Sequence, residues 1–172
     1  MRIRHLDGVE DARALIRINA EAWREAYAEI LPDEALARMD PEPTDEHVRE
    51  AFDRLRDDRE RILVAEDDTE TVRGFCYFRW GDDTKSFVDE GETGLKEIYV
   101  EPEYWRSGIG TELLEQGLAL LPEPIERVRL EMLDGNEVGR RFYRSHGFER
   151  TGSSEFEIGG EPYPTSIYTL EL

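Results

Sequence analysis

Two glycines follow a short apolar strand and open a helix near the middle of the chain. The strand ends at about Val100, Pro102 prevents its continuation, and Gly108 and Gly110 stand directly before a run of helical leucines. Because glycine lacks a side chain, backbone N–H groups at such a turn can approach a ligand closely. A helix N-terminus also offers unpaired N–H groups and the positive end of its dipole. This spacing predicts an anion site, whose usual ligand is a pyrophosphate.

Two familiar phosphate motifs do not fit this turn. The segment has no Gly-Lys-Ser/Thr, as a Walker A loop requires, and it lacks the third glycine of the dinucleotide fingerprint. Taken alone, Gly108-Ile109-Gly110 fits a purely structural turn at least as well as a ligand site. The identity of the ligand therefore depends on the sequence around the turn.

The hydrophobic pattern around the turn predicts one mixed α/β domain over residues 1–172. Apolar residues at helical spacing predict helices over 9–29, 33–39, 45–58, 107–121 and 137–146. Short apolar or alternating runs predict strands over 2–6, 61–66, 72–80, 95–100, 128–133, from 148 onward, and 165–170. The turn thus lies between a strand and a helix within one domain.

The segment around the turn resembles the acyl-CoA-binding motif of the GNAT N-acyltransferase superfamily. In that motif Arg/Gln-x-x-Gly-x-Gly/Ala follows a strand and a proline. Trp105 stands where the family usually has Arg or Gln, and the neighbouring Arg106 offers a positive charge. The resemblance implies that the pyrophosphate is held by Arg106, Ser107, Gly108, Ile109, Gly110 and Thr111. It also implies that the strand Ile98, Tyr99 and Val100 holds the pantetheine arm, with Ile98 and Val100 pairing as an added strand would.

A second segment, residues 129–148, is similar to the superfamily's strand, Asn, helix, Phe-Tyr and Gly-Phe signature. The resemblance implies that Asn136 contacts the cofactor arm. It also implies that Tyr143 lies near the thioester sulfur, where its hydroxyl can protonate the leaving thiolate. Two plainer interpretations stay open. Asn136 is a good helix N-cap by itself, and Tyr143 also suits a half-buried amphipathic position.

The two motifs together imply a fold and an activity. The expected fold is a GNAT-like, mostly antiparallel sheet of about seven strands flanked by helices. The expected activity is transfer of an acetyl group from acetyl-CoA to a primary amine, by direct attack in a ternary complex. The acceptor is a small molecule or a peptide, and homodimers are common in this superfamily. Two alternatives remain: a non-catalytic acyl-CoA-binding module, and an α/β domain whose glycine turn is only structural.

The general base is the least defined part of the expected site. Glu131 matches a strand glutamate that acts as base in some members of the superfamily that modify protein N-termini. Glu97 and Glu92 lie on or near the adjacent strand, and bulk water reached through a chain is a competitor. Simple alternation places Glu97 and Lys96 on opposite faces of their strand, so that at most one of them faces the cleft.

Trp23 and Tyr27 stand four residues apart on the first helix. The resemblance places this region beside the acceptor site, and an aromatic pair there suits an amine of positive or apolar character. Core packing is an equally good interpretation of the same pair.

The composition excludes several classes of partner. The net charge is -19, and only two of the 22 basic residues are lysines, Lys85 and Lys96. Such a surface opposes nucleic acids and anionic membranes and attracts cationic substrates. Many carboxylates with almost no lysine resemble proteins of salt-loving organisms. The lone Cys76 excludes an intramolecular disulfide.

The remaining features point to no metal and no targeting segment. The histidines His5, His47 and His146 are scattered and indicate no metal site. No apolar stretch approaches the ~20 residues that span a bilayer, and the first residues lack the apolar centre of a signal peptide. We therefore expect a cytoplasmic protein.

Overall fold

A seven-stranded sheet with the strand order β1-β2-β3-β4-β5-β7-β6 forms the centre of the computed structural model, which describes residues 1–172. The strands are β1 (Arg2–His5), β2 (Ile62–Glu66), β3 (Val72–Arg79), β4 (Glu92–Val100), β5 (Arg127–Leu133), β6 (Glu149–Ile158) and β7 (Glu161–Glu171). The helices are α1 (Val9–Ala26), α2 (Asp33–Ala37), α3 (Asp45–Leu55), α4 (Ile109–Ala119) and α5 (Glu137–Ser145). This arrangement confirms the expected mixed, mostly antiparallel sheet flanked by helices.

The two faces of the sheet carry separate hydrophobic cores. Strand β2 is buried along its whole length, and its side chains alternate between the cores. Leu63 packs in the core beneath α4, whereas Ile62 and Val64 pack in the core beneath α1. A strand covered on both faces reads as a continuous apolar run, which explains the sequence of β2.

The only parallel pair in the sheet joins β4 and β5, and it is short. Glu92, Thr93 and Gly94 pair with Arg127, Val128 and Arg129, and no pairing continues beyond them. The remaining parts of the two strands therefore separate and leave a cleft in the middle of the sheet.

A bulge in β4 changes which side chains face the α1 side of the sheet. Tyr77 pairs with Glu97 but the next residue of β3, Phe78, pairs with Leu95, so that Lys96 is the extra residue. The Lys96 Nζ atom lies 3.8 Å from Glu97 Oε1 and 4.7 Å from the ring centroid of Tyr77. Lys96 and Glu97 thus share one face. The prediction that they lie on opposite faces is wrong, because a bulge interrupts the alternation on which it rested.

None of the helices combines the length and the hydropathy that crossing a bilayer requires.

Helix α4 lies very close to β3 at Gly117. A methyl group on Gly117 would fall far inside van der Waals contact with Cε2 of Phe78, whose side chain is 1% exposed. We expect Gly117→Ala to lower the free energy of unfolding by about 1–3 kcal/mol, since overpacking outweighs the better helix propensity of alanine.

Denaturant unfolding of the Gly117 variant measures this effect. Gly152→Ala is the matched control, because its new methyl group would lie 3.6 Å from Ile167, an ordinary contact. A Gly117 variant as stable as the control variant would contradict the close packing of α4 on Phe78.

Candidate active site

A cavity of about 790 Å³ opens where β4 and β5 separate. It is lined by every site residue predicted from the sequence except Ser107, Ile109 and the alternative base Glu92. Those that line it are Trp23, Tyr27, Glu97, Ile98, Tyr99, Val100, Arg106, Gly108, Gly110, Thr111, Glu131, Asn136 and Tyr143. The fold therefore brings the two sequence motifs and the aromatic residues of α1 to one place.

The N-terminus of α4 forms one end of the cavity. Gly108 caps the helix with φ +92°, and a Cβ atom built on it would meet nothing within 4 Å. The first amide bonded within the helix is that of Glu112, which donates to Gly108 O at 3.0 Å, so the preceding amides lack intrahelical acceptors. Free amides, a left-handed glycine and open space fit an anionic ligand.

Ser107 and Ile109 can contribute only their backbone to this end of the cavity. The Ile109 side chain is 4% exposed and packs in the core beneath α4. The Ser107 hydroxyl donates a hydrogen bond of 2.5 Å to Tyr104 O. Both side chains therefore fix the turn rather than face a ligand.

Trp105, the residue that departs from the family motif, ties the turn to the end of β4. Its indole N–H donates to Val100 O at 2.7 Å. The next residue, Arg106, is exposed and adopts φ +63°, a left-handed conformation that is uncommon outside glycine. The tryptophan thus has a structural role of its own, and the charge at this position comes from its neighbour.

Tyr143 presents a free hydroxyl in the cavity. The ring is half-buried on α5 and makes edge contacts with Phe142 and Phe148 at centroid distances of 5.3 and 5.5 Å. The hydroxyl makes no hydrogen bond to the protein. Burial raises the pKa of Tyr143 well above its ordinary value. The group therefore stays protonated and is available to donate a proton to a bound ligand.

Asn136 connects α5 to α1. Its side-chain oxygen accepts from the Gly139 amide at 2.9 Å, and its NH₂ group donates to the Tyr27 hydroxyl at 3.1 Å. The structure thus shows a capping role for Asn136. Tyr27 is 4% exposed, and it belongs to a small core as well as to the cavity wall.

Trp23 contacts two aromatic residues of the same cavity wall, Tyr27 and Tyr99. Its ring lies 4.8 Å from that of Tyr27, and its indole N–H donates to the Tyr99 hydroxyl at 2.8 Å. Burial raises the pKa of Tyr99 well above its ordinary value. These aromatic side chains form a hydrogen-bonded wall of the cavity.

Two carboxylates face the cavity, and their surroundings differ. Glu131 is 8% exposed and accepts from Lys85 Nζ at 2.6 Å and from the Thr165 hydroxyl at 2.7 Å. Glu97 makes no comparable contact, and burial raises its pKa although Lys96 and Arg79 partly oppose this.

Glu92 does not line the cavity. Its side chain is 7% exposed, accepts from the Asp89 amide and pairs with Arg127 and Arg129.

The charge of the cavity wall is opposite to that of the whole protein. Two carboxylates, Glu97 and Glu131, face six cationic side chains, whereas the chain carries a net charge of -19. The cationic residues are Arg79, Lys85, Lys96, Arg106, Arg129 and Arg141.

Sequence reasoning missed most of these cations, because no motif marks them. One signal was visible in the sequence: the chain's only two lysines stand within and just before β4.

The chain is similar to several known proteins. Residues 18–148 match the model of the Acetyltransferase (GNAT) family. The chain is 29% identical to a spermidine N(1)-acetyltransferase of Thermoplasma acidophilum, over 86% of this chain and 89% of that one. It is 34% identical to the peptidyl-lysine N-acetyltransferase YjaB of Escherichia coli, over 39% of this chain and 43% of that one.

Among solved structures, the fold is similar to that of the PaiA N-acetyltransferase of Thermoplasma acidophilum in complex with coenzyme A. The TM-score is 0.71 and the identity is 25%, over 99% of this chain and 98% of the other.

Proposed function

The chain belongs to the acetyltransferase (GNAT) family, and on that premise we propose that it transfers an acetyl group from acetyl-CoA to a primary amine. One observation carries the proposal. A single cavity combines a helix N-terminus with free amides, the free hydroxyl of Tyr143 and the buried carboxylate of Glu131. Acyl transfer from a thioester needs these functions: a place for the donor, a proton donor for the leaving group, and a base for the amine.

The cofactor end of the site fits coenzyme A. The free amides of residues 109–111 and the open space beside Gly108 suit a pyrophosphate, and Arg106 and Arg141 add positive charge. The pantetheine arm would lie along the free edge of β4, where that strand has left β5. Because Trp105 already donates to Val100 O, we expect Ile98 to provide more of the pairing with pantetheine than Val100.

The chemistry then needs no acyl-enzyme intermediate. Glu131 takes a proton from the acceptor ammonium, and the amine attacks the thioester carbonyl directly. A backbone N–H of β4 at the open edge polarises that carbonyl as negative charge develops on its oxygen. Tyr143 donates its proton to the departing sulfur. The alternative is a module that binds acetyl-CoA without turning it over.

The identity of the base is tested by the pH dependence of kcat/KM. We expect Glu131→Gln to lower kcat/KM by about 10–100-fold. We expect Glu97→Gln to leave both kcat/KM and its pH dependence nearly unchanged.

The opposite outcome would assign the base to Glu97. Because burial raises its pKa, Glu97 loses its charge at a higher pH than an ordinary glutamate. A profile controlled by Glu97 would therefore begin to fall at a higher pH, and only Glu97→Gln would abolish the fall.

The acceptor is proposed to be an alkyl amine, either a small molecule or a peptide side chain. Two relatives are named for spermidine and for peptidyl-lysine, and both of these present a primary amine on an alkyl chain. Trp23 and Tyr27 would form one wall of its binding site, where an aromatic face favours an ammonium group.

A screen of amines with acetyl-CoA, in which release of the free thiol of coenzyme A is measured, tests the proposed function. The assay is run at low ionic strength and in molar potassium chloride, because the net charge of -19 makes the protein sensitive to salt. Turnover of one or more alkyl amines is expected. Tight binding of acetyl-CoA without turnover of any amine would instead favour the non-catalytic module.

A further inference from the structure

Lys85 places an ammonium group inside the active-site cavity. It stands in the loop between β3 and β4, and its Nζ atom lies 2.6 Å from Glu131 Oε1. The same atom lies 4.9 Å from the ring centroid of Phe156, within the range of a cation–π contact. Half of the side chain is buried, and the chain has only one other lysine.

This contact is the one that an acceptor must make. In the proposed function Glu131 removes a proton from the acceptor's ammonium, so that ammonium must lie within hydrogen-bond distance of the carboxylate. The Thr165 hydroxyl donates a hydrogen bond to Oε2 of Glu131. The other carboxylate oxygen, Oε1, accepts a hydrogen bond from the Lys85 ammonium. The chain's own lysine therefore occupies the position expected for a substrate amine.

We propose that Lys85 is a self-acetylation site, modified in cis by the active site of the same chain. The inference rests on the proposed function, because it uses the same base, proton donor and acetyl-CoA site. The Lys85 ammonium gives one proton to Glu131, which releases it to solvent. The Nζ–C bond forms as the C–S bond of acetyl-CoA breaks, and the second proton of the nitrogen reaches the sulfur through Tyr143. The products are an acetamide on Lys85 and free coenzyme A.

Lys96 provides an internal comparison within the same cavity. Burial lowers the pKa of Lys96, which increases the fraction of this side chain that is present as the reactive neutral amine. Its Nζ atom lies 3.8 Å from Glu97, however, which is too long for a hydrogen bond. If intrinsic reactivity decided the site of acetylation, Lys96 would be preferred. If contact with the base decides it, Lys85 is preferred.

Acetylation would also change the cavity itself. An acetylated lysine is uncharged, so the ion pair between Lys85 and Glu131 would be lost.

Peptide mapping after incubation with isotopically labelled acetyl-CoA tests the inference. We expect Lys85 to gain one labelled acetyl group, which adds about 42 Da plus the mass of the isotopic label. Labelling of Lys85 should exceed that of Lys96 by about tenfold or more, with a rate that does not depend on protein concentration. Glu131→Gln should slow the labelling of Lys85 by about tenfold or more. Unlabelled acetyl groups already present on Lys85 support the inference only if the Glu131→Gln chain lacks them.

Several results would overturn the inference. They are equal labelling of both lysines, preferential labelling of Lys96, and labelling of Lys85 that is unchanged in Glu131→Gln. A mixture of the wild-type chain and an affinity-tagged Tyr143→Phe chain, separated before digestion, tests the cis mechanism. Label on Lys85 of the Tyr143→Phe chain would show transfer between molecules.

The same samples are assayed for turnover of external amines. Turnover of an external amine with no label on Lys85 would overturn the self-acetylation and leave the proposed function standing. Absence of both reactions would overturn both proposals.

Discussion

Replacement of Tyr143 by phenylalanine is expected to lower kcat by about 10²–10⁴-fold while the affinity for coenzyme A stays within about twofold of the wild type. The hydroxyl makes no hydrogen bond to the protein, so its removal leaves the packing of the ring on Phe142 and Phe148 intact. Only a step that needs the proton of this hydroxyl should become slower. The rate is measured by thiol release and the affinity by calorimetry.

Tyr168→Phe is the matched control for this change. Tyr168 is 4% exposed, packs in the same core as Tyr143 and does not line the cavity. The Tyr168→Phe chain also loses a phenolic oxygen, and it should turn over substrate at nearly the wild-type rate. Equal turnover in the Tyr143 variant would remove this residue from the mechanism.

Replacement of Gly108 by valine is expected to weaken coenzyme A binding by about 100-fold or more. A branched side chain at this position would fill the open space beside the free amides of α4 and keep a pyrophosphate away from them. The left-handed φ of +92° adds strain, because only glycine adopts this conformation readily. Calorimetry with coenzyme A measures the loss.

A substitution at a second glycine distinguishes the effect of backbone strain from the effect of blocked binding. Gly160 has φ +84° in the turn between β6 and β7, and a Cβ atom on it would also meet nothing within 4 Å. Gly160→Val therefore introduces comparable strain away from the cavity and should retain coenzyme A binding. Normal binding by the Gly108 variant would refute the assignment of the phosphate site.

The elements that a local pattern defines could be predicted from the sequence. The apolar run of β2 and the turn after it gave the first hairpin, and the Asn136 cap marked the start of α5. The start of β4 was harder to predict, because Glu92 and Thr93 are polar yet buried. Glu92 is stabilised there by Arg127 and Arg129, which are distant in sequence.

The site divides in the same way. The glycine turn and the Asn136 cap are marked by local signals, whereas the role of Tyr143 is implied by the resemblance to the superfamily. The bulge at Lys96 and the ion pair between Lys85 and Glu131 depend on how strands and a loop meet in space. Strand alternation assumes regular pairing, so it could not show that Lys96 and Glu97 share a face.

The cavity wall is positively charged, whereas the protein as a whole is negatively charged. The electrostatic force on a charged ligand therefore changes sign between long range and the cavity. Far from the surface, an anion such as coenzyme A meets the repulsion of a chain with a net charge of -19. Inside the cavity it meets Arg106, Arg141 and the other cations of the wall. Salt weakens the long-range repulsion first, since the screening length falls from about 10 Å at 0.1 M to about 3 Å at 1 M. Rising ionic strength should therefore speed the encounter with coenzyme A, which is the reverse of the behaviour of a protein that attracts its anionic ligand from afar.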